Sequence, residues 1–221
     1  MDGTAGGADG PHFDEGFRHG LGQLLAWRRD VRHFRHDPLP PGLLDELLAL
    51  AQLAPSVGNA QPWRFVTVDS PALRAALADH ADAEALRAEA ALVADAARLD
   101  LYRSLKLHGL REAPGVLAVF SDDGPEAGHG LGIATMPEAL TYSTVMAIHT
   151  LWLAARTRGI GLGWVSIVDP AAVRAMLDLP DRWRMIALLC IGYPLAASDV
   201  PELERRGWQG RQDWRVNVVA R

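Results

Sequence analysis

The stretch YSTVMAIHTLWLAARTRGIGLGWVSIV, residues 142–168, contains the order of elements that decides the fold. Its apolar helical pattern predicts a long helix over 137–158, and Gly159 stands where a C-cap glycine ends a helix. The run that follows, 161–168, predicts a strand. A dinucleotide-binding fingerprint requires a strand, then the glycine loop, then a helix. Because the helix comes first here, a Rossmann-type site is excluded.

Other strands and helices alternate along the rest of the chain. Further strands are predicted at 63–69, 114–122 and 185–194, and the run at 114–122 is apolar enough to be buried on both faces. Helical patterns occupy 13–29, 42–54, 71–108 and 170–177. Strands separated by helices in one domain-sized chain predict an α/β or α+β fold with a central sheet and a long buried helix.

Composition narrows the class of partner and the compartment. The chain has 221 residues, and 27 acidic against 22 basic side chains give a formal net charge of −5, which argues against nucleic-acid and anionic-membrane partners. No long apolar run predicts a membrane span, and the N-terminus lacks the regions of a secretory signal. The single Cys190 cannot form an internal disulfide and is expected to be a buried, inert thiol. We therefore expect a cytoplasmic protein.

A single domain is expected over residues 14–194. Residues 1–13 are rich in small and acidic side chains and predict a flexible N-terminal tail. Residues 195–221 have no core-forming period but contain two tryptophans. We expect them to form a C-terminal extension that packs on a partner subunit.

A cluster of arginines is the first candidate site. Arg28, Arg29 and Arg32 place guanidinium groups within five residues, and such groups bind phosphate through several hydrogen bonds at once. A solvated basic turn is the alternative for charge runs of this kind. Asp30 lies inside the cluster, where the neighbouring arginines are expected to lower the pKa of its carboxyl group. Asp30 would then be a fixed anchor or a proton-handling group near a ligand.

Two further segments carry polar groups. The loop PSVGNAQP, residues 55–62, offers Ser56, Asn59 and Gln61, which suit the edge of a heteroaromatic ring, although the same residues are common in ordinary turns. The glycines at 159, 161 and 163 either let the strand backbone approach a flat ligand or let the preceding helix and the strand pack closely. Ser166 follows near the end of this strand. The histidines, including His33 and His36, lack a third ligand nearby, so no metal site is predicted.

Six segments together closely resemble one branch of the nitroreductase superfamily, the flavin-destroying 5,6-dimethylbenzimidazole synthases. They are RRDVRHF, LAPSVGNAQPWRF, YRSLKLHGLREAP, YSTVMAIHTLWLAAR, GLGWVSIVDP and PELERRGW, and the resemblance stays in register from about Arg28 to Arg211. It implies an α+β, nitroreductase-like fold with a central, mostly antiparallel sheet flanked by helices. It also implies an intertwined homodimer that exchanges arms and binds FMN at the subunit interface.

The resemblance implies roles for individual residues. Arg28, Arg29 and Arg32 are similar in position to ligands of the FMN phosphate and ribityl chain, and Arg211 to a second phosphate ligand. Ser56 and Gln61 would face the flavin from their loop. The backbone of Gly163, Trp164 and Val165 would face the isoalloxazine ring. Asp30 and Ser166 are similar in position to residues implicated in the chemistry, Asp30 in proton transfer or in orienting the ribityl chain.

The activity implied is an O2-dependent fragmentation of reduced FMN to 5,6-dimethylbenzimidazole, the lower ligand of vitamin B12, with release of a four-carbon sugar phosphate. A separate flavin reductase would supply reduced FMN, with NAD(P)H as the indirect electron source. One alternative is an NAD(P)H-dependent FMN nitroreductase or flavin reductase. Another is a non-catalytic flavin-binding protein, against which the presence of Asp30 and Ser166 counts. The chain departs from the branch at Leu140-Thr141, where an Asp-Leu pair is usual, and at 147–150.

Overall fold

The computed structural model describes residues 10–221 and contains one four-stranded sheet. Most of the tail predicted at 1–13 lies outside the described residues. The strands are β1 (Trp63–Thr67), β2 (Gly115–Asp122), β3 (Gly161–Val165) and β4 (Trp183–Gly192). Their order is β1-β2-β4-β3, and every neighbouring pair is antiparallel. The predicted α+β fold with an antiparallel sheet is therefore confirmed, and all four strands lie where they were predicted.

Helices flank this sheet and differ from the predicted ones mainly at their ends. They are α1 (Glu15–Trp27), α2 (Leu43–Ala51), α3 (Pro71–Glu89), α4 (Ala96–Ser104), α5 (Ala139–Thr157), α6 (Pro170–Met176) and α7 (Glu202–Arg205). The single helix predicted over 71–108 is two helices, because Asp95 starts a new one by accepting a hydrogen bond from the Arg98 N–H. Gly159 ends α5 with a φ of +70°, as its sequence position predicted.

The sheet is buried on both faces because residues of β2 alternate between two cores. Val116, Ala118 and Phe120 pack with α3 and α6, whereas Leu117 and Val119 pack with α2 and α5. Every residue of β2 after Gly115 is buried, which confirms the prediction for this strand. The sheet thus forms the middle layer between two helical layers, and α5 is the long buried helix.

An extended segment, residues 28–35, follows α1 and covers the free edge of β3. The Val31 N–H donates to the Leu162 carbonyl oxygen at 2.9 Å, and Phe34 bridges Pro194 at the far end of β4. Gly163 permits this contact, because a Cβ at that position would lie 2.1 Å from the Val31 carbonyl oxygen. The contact therefore protects an edge strand and brings the arginine cluster to a defined place on the sheet.

We expect Gly163→Ala to lower the free energy of unfolding by about 1 to 3 kcal/mol, because the new methyl group must push the segment away from β3. Urea denaturation measures this loss. Gly20→Ala is the control: it lies in α1 with no atom within 4 Å of the added Cβ, and it should be neutral or stabilise the protein by up to about 1 kcal/mol. Equal stabilities for the two variants would contradict the assigned contact.

Candidate functional site

A cavity of about 290 Å³ lies where the end of α1, the C-terminal half of α5 and the chain after β4 meet. Six of its lining residues are arginines, and Asp30 and Glu202 are the acidic residues among the described lining residues. The arginines are Arg28, Arg29, Arg32, Arg156, Arg205 and Arg206. The structure therefore brings the predicted arginine cluster together and adds further cations to it.

Arg28 and Arg29 are held against α5 and against each other. The Arg28 guanidinium lies 4.8 Å from the centre of the Trp152 ring, and the Trp152 indole N–H donates to the Arg29 carbonyl oxygen at 3.3 Å. Burial lowers the pKa of both guanidiniums, and the charge of Arg211 lowers it further. Among residues 10–221, no ion pair involves Arg28. Arg28, Arg29 and Arg211 thus form a cationic site suited to an anion.

Arg32 is directed toward Asp30. Its Nε donates to Asp30 Oδ2 at 2.9 Å, and its Nη1 donates to the Lys106 carbonyl oxygen at 3.2 Å. The other carboxylate oxygen, Asp30 Oδ1, accepts from the Trp164 N–H at 2.7 Å. Both oxygens of the carboxylate are therefore hydrogen-bond acceptors, an arrangement that suits its ionised form.

The pKa of Asp30 is raised, so the prediction of a lowered pKa is wrong. Burial is the largest cause, and it outweighs the hydrogen bond from Trp164 and the charges of Arg32 and Arg28. Neighbouring arginines are visible in the sequence, whereas the loss of water around the carboxylate depends on β3 and on distant segments. A carboxyl group with a raised pKa can exchange a proton closer to neutral pH.

The strand residues predicted to contact a flavin differ in their surroundings, and none of Gly163, Trp164 and Val165 lines the arginine cavity of the single chain. Gly163 contacts the Val31 backbone, and the Trp164 N–H is held by Asp30. Val165 is buried in the core on the α3 face. Ser166 follows β3 directly and is exposed.

The loop with Ser56 and Gln61 lies toward the other end of α5. Ser56 Oγ accepts from the Gln61 N–H at 3.1 Å, and the adjacent Val57 N–H donates to Ser143 Oγ at 3.0 Å. Ser143 precedes Trp152 by nine residues on α5, or about 14 Å along the axis. One chain therefore does not bring this loop to the arginine cavity.

Several cavity residues were not singled out from the sequence. Trp152 and Arg156 share a face of α5 at a spacing of four residues, a signal that was available in the helical pattern. Arg205 and Arg206 lie on or beside α7, in a tail without periodicity. The Lys106 carbonyl had no sequence signal, because a backbone acceptor becomes specific only through tertiary contact.

The residues present fit the phosphate-bearing end of FMN. The cavity offers guanidiniums without a carboxylate partner beside an indole ring, which suits an anion joined to an aromatic system. Its volume of about 290 Å³ lies near the lower end of the range for ligand pockets, ~300–1,000 Å³.

Residues 10–221 contain neither a cluster of metal-ligating side chains nor a membrane-spanning helix. No group of three or more potential metal ligands comes together within that range. None of its helices combines the length and the apolar character needed to cross a bilayer. Leu140, at the predicted departure from the branch, is buried at the start of α5.

Comparisons with known proteins agree with this fold. A family model described as the nitroreductase family matches residues 25–193. The chain is 57% identical to the 5,6-dimethylbenzimidazole synthase of Rhodospirillum rubrum over 92% of this chain and 95% of that protein. It is 51% identical to the synthase of the same name from Rhodobacter capsulatus, over 90% of this chain and 95% of that protein.

Two solved structures share the fold. Oxidised iodotyrosine deiodinase bound to FMN and 3-iodo-L-tyrosine has a TM-score of 0.66 and 27% identity, covering 91% of this chain and 97% of that chain. A nitroreductase family protein from Streptococcus pneumoniae has a TM-score of 0.64 and 20% identity, covering 91% of this chain and 100% of that chain. With the antiparallel sheet, the family match and two relatives in agreement over most of its length, the chain belongs to the nitroreductase family.

Proposed function

We propose that this protein is a 5,6-dimethylbenzimidazole synthase, an oxidoreductase that fragments reduced FMN in an O2-dependent reaction and releases a four-carbon sugar phosphate. The observation that carries this proposal is the 57% identity with the Rhodospirillum rubrum synthase over nearly the full length of both proteins. The cationic cavity next to a buried carboxylate supports it, because the substrate joins a phosphate to a ring whose breakdown requires proton transfers.

Arg28, Arg29 and Arg211 would hold the phosphate of FMN, and Arg32 would hold the ribityl chain while it remains paired with Asp30. Bound FMN supplies the reduced ring that reacts with O2. The backbone of Gly163, Trp164 and Val165 would line the ring, with Ser56 and Gln61 approaching from another direction. The convergence of Arg28, Arg29 and Arg211 supports this assignment, because the charge of Arg211 adds to burial in lowering the pKa of both Arg28 and Arg29.

Asp30 is the proposed proton carrier. Its carboxylate is held from both sides by the Trp164 amide and the Arg32 guanidinium, and burial raises its pKa. A group of this kind accepts a proton in one step and returns it in another. Ser166 is the second proposed catalytic residue: it is exposed directly after β3, and its hydroxyl would hydrogen-bond to the ring.

The complete site would belong to a homodimer in which each Ser56–Gln61 loop reaches the arginine cavity of the partner subunit. The separation of about 14 Å along α5 supports this arrangement. So does the face of α1, where apolar side chains at near-helical spacing are exposed. These are Phe17 (52%), Leu21 (41%) and Leu25 (45%), and Phe13 (53%) continues the spacing just before the helix.

The C-terminal extension would have two parts. Up to Trp208 it packs on its own chain, since that indole lies 6.2 Å from the Tyr102 ring and 4.5 Å from the Arg98 guanidinium carbon. Arg98 and Tyr102 on α4 supply this local surface. The following residues expose Trp214, Val216, Val218 and Val219, and we propose that these cover the partner subunit.

The electron supply is also proposed. A separate flavin reductase would deliver reduced FMN, and NAD(P)H would be its electron source. The supply of reduced flavin from NAD(P)H favours a cytoplasmic location for the reaction.

Aerobic incubation with FMN, NADH and an independent flavin reductase should yield 5,6-dimethylbenzimidazole, detected by chromatography. Asp30→Asn should abolish the product and leave FMN binding, measured by fluorescence titration, nearly intact. Asp37→Asn, two residues beyond the extended segment and exposed, is the matched control and should retain activity. Intact FMN with NAD(P)H consumed on a nitroaromatic or quinone would favour the reductase alternative; FMN binding without turnover would favour the non-catalytic one.

Mixing two inactive variants tests the shared site. Arg28→Ala/Arg29→Ala removes two guanidiniums of the anion-binding cluster, and Ser56→Ala/Gln61→Ala removes the polar side chains of the loop. After co-expression, a random mixture of dimers should recover about a quarter of wild-type activity, because each heterodimer retains one intact site. Light scattering should give the mass of two chains, whereas a monomer, or no recovery in mixed dimers, would overturn the arrangement.

A further inference from the structure

The loop between α4 and β2, residues 105–114, is held in shape by internal contacts. Lys106 Nζ lies 2.7 Å from Glu112 Oε1, so an ion pair closes the loop across its base. Within the loop, the Ala113 N–H donates to the Gly109 carbonyl oxygen at 2.9 Å. The His108 ring lies 2.8 Å from Asp82 on α3 and ties the loop to that helix. These contacts fix the conformation of the loop and its position on α3.

This loop presses on the segment that contains Asp30. The Lys106 carbonyl oxygen accepts from Arg32 Nη1 at 3.2 Å. Gly109 lies so close that an added Cβ would be 2.6 Å from the Phe34 ring and 3.0 Å from the Arg32 carbonyl oxygen. The two contacts fix both the backbone and the guanidinium of Arg32.

We propose that the Lys106–Glu112 ion pair is a positioning device for Asp30: it holds the Lys106 carbonyl against Arg32 and thereby keeps the Arg32 guanidinium on the Asp30 carboxylate. Four contacts connect Glu112 to Trp164. They are Glu112 to Lys106 at 2.7 Å, Lys106 to Arg32 at 3.2 Å, Arg32 to Asp30 at 2.9 Å, and Asp30 to Trp164 at 2.7 Å. Lys106 and Glu112 are positioning residues, since Arg32 acts between them and the carboxylate.

The charged groups around Asp30 make the test specific. Arg28 and Arg32 face it from its own segment, and β3 contributes the Trp164 N–H. From β4 comes the Cys190 thiol, whose pKa is raised to about 12, so it stays neutral. Burial is the main cause, and the charges of Asp30 and Glu112 act in the same direction, whereas a hydrogen bond with the Gly109 backbone and the charge of Lys106 act against it. Asp30, Lys106 and Glu112 therefore lie around one buried thiol.

Removing the charge of Glu112 distinguishes its proposed positioning role from the direct electrostatic effect of its charge on Asp30. Without positioning, Glu112→Gln only removes a negative charge, which must lower the pKa of Asp30 or leave it unchanged. With positioning, the released loop loosens the grip of Arg32 on Asp30, and the pKa of Asp30 rises further. The two explanations predict opposite directions.

Carbon-13 NMR titration of the side-chain carboxyl groups in the full-length, ligand-free protein measures this direction. The Asp30 signal is identified by its absence from Asp30→Asn. We expect Glu112→Gln to raise the pKa of Asp30, and Glu112→Asp, which keeps the charge but shortens the reach, to raise it less. A pKa that falls or stays constant in both variants overturns the proposal.

Glu89→Gln is the matched control. Glu89 pairs with Arg103 at 2.7 Å in the wall of the same cavity of about 440 Å³ that Lys106 and Glu112 line, and the Arg103–Glu89 pair does not bond to Arg32. We expect no rise in the pKa of Asp30. A rise as large as in Glu112→Gln would show a general loosening of the loop and helices instead of the specific path.

Turnover gives a second readout, which alone rests on the proposed function. If catalysis uses ionised Asp30, Glu112→Gln should lower kcat/KM about threefold to tenfold at the acidic end of the pH profile and approach wild type at the alkaline end. A loss of equal size at every pH would contradict positioning. If the wild-type protein forms no benzimidazole, the proposed function fails, while the NMR result still decides the inference.

Discussion

The hydrogen bond from the Trp164 amide to the Asp30 carboxylate, together with the adjacent backbone contact between Val31 and Leu162, sets the geometry of the site. An edge strand leaves backbone groups unpaired, and the segment after α1 supplies partners for them. Only a glycine at position 163 allows that approach. Because the segment is fixed on β3, the arginines on either side of Asp30 have defined directions: Arg28 toward α5 and Arg32 toward Lys106.

The site combines two electrostatic environments that oppose each other. Arg28, Arg29 and Arg211 bring three positive charges close together. Burial lowers the pKa of Arg28 and Arg29, and repulsion from neighbouring arginines lowers it further. A phosphate bound there would relieve that repulsion. A few ångströms away, burial raises the pKa of a carboxyl group despite its cationic neighbours. The proposed synthase would use the first environment to hold its substrate and the second to move protons.

Helix α5 separates the parts of the site along its length. Trp152 holds the arginine cluster at one end and Ser143 holds the Ser56 loop at the other. A buried helix cannot bend to join them, because its apolar residues are fixed between α2 and the sheet. The proposed second subunit would complete the site, which would connect the exposed face of α1 to the proposed activity.

Local patterns in the sequence determined the fold. The strands, the long helix α5 and its Gly159 cap were predictable, since side-chain periodicity and backbone conformation depend on neighbours in the chain. The arginine cluster with Asp30 was also visible, and so was the family, through motifs that stay in register. Only the tertiary structure decided the direction of the Asp30 pKa shift, the pairing of Arg32 with the Lys106 carbonyl and the distance of the Ser56 loop from the cavity. The physical reason is that desolvation and backbone contacts depend on segments far apart in the chain, which become neighbours only when the sheet and its helices pack.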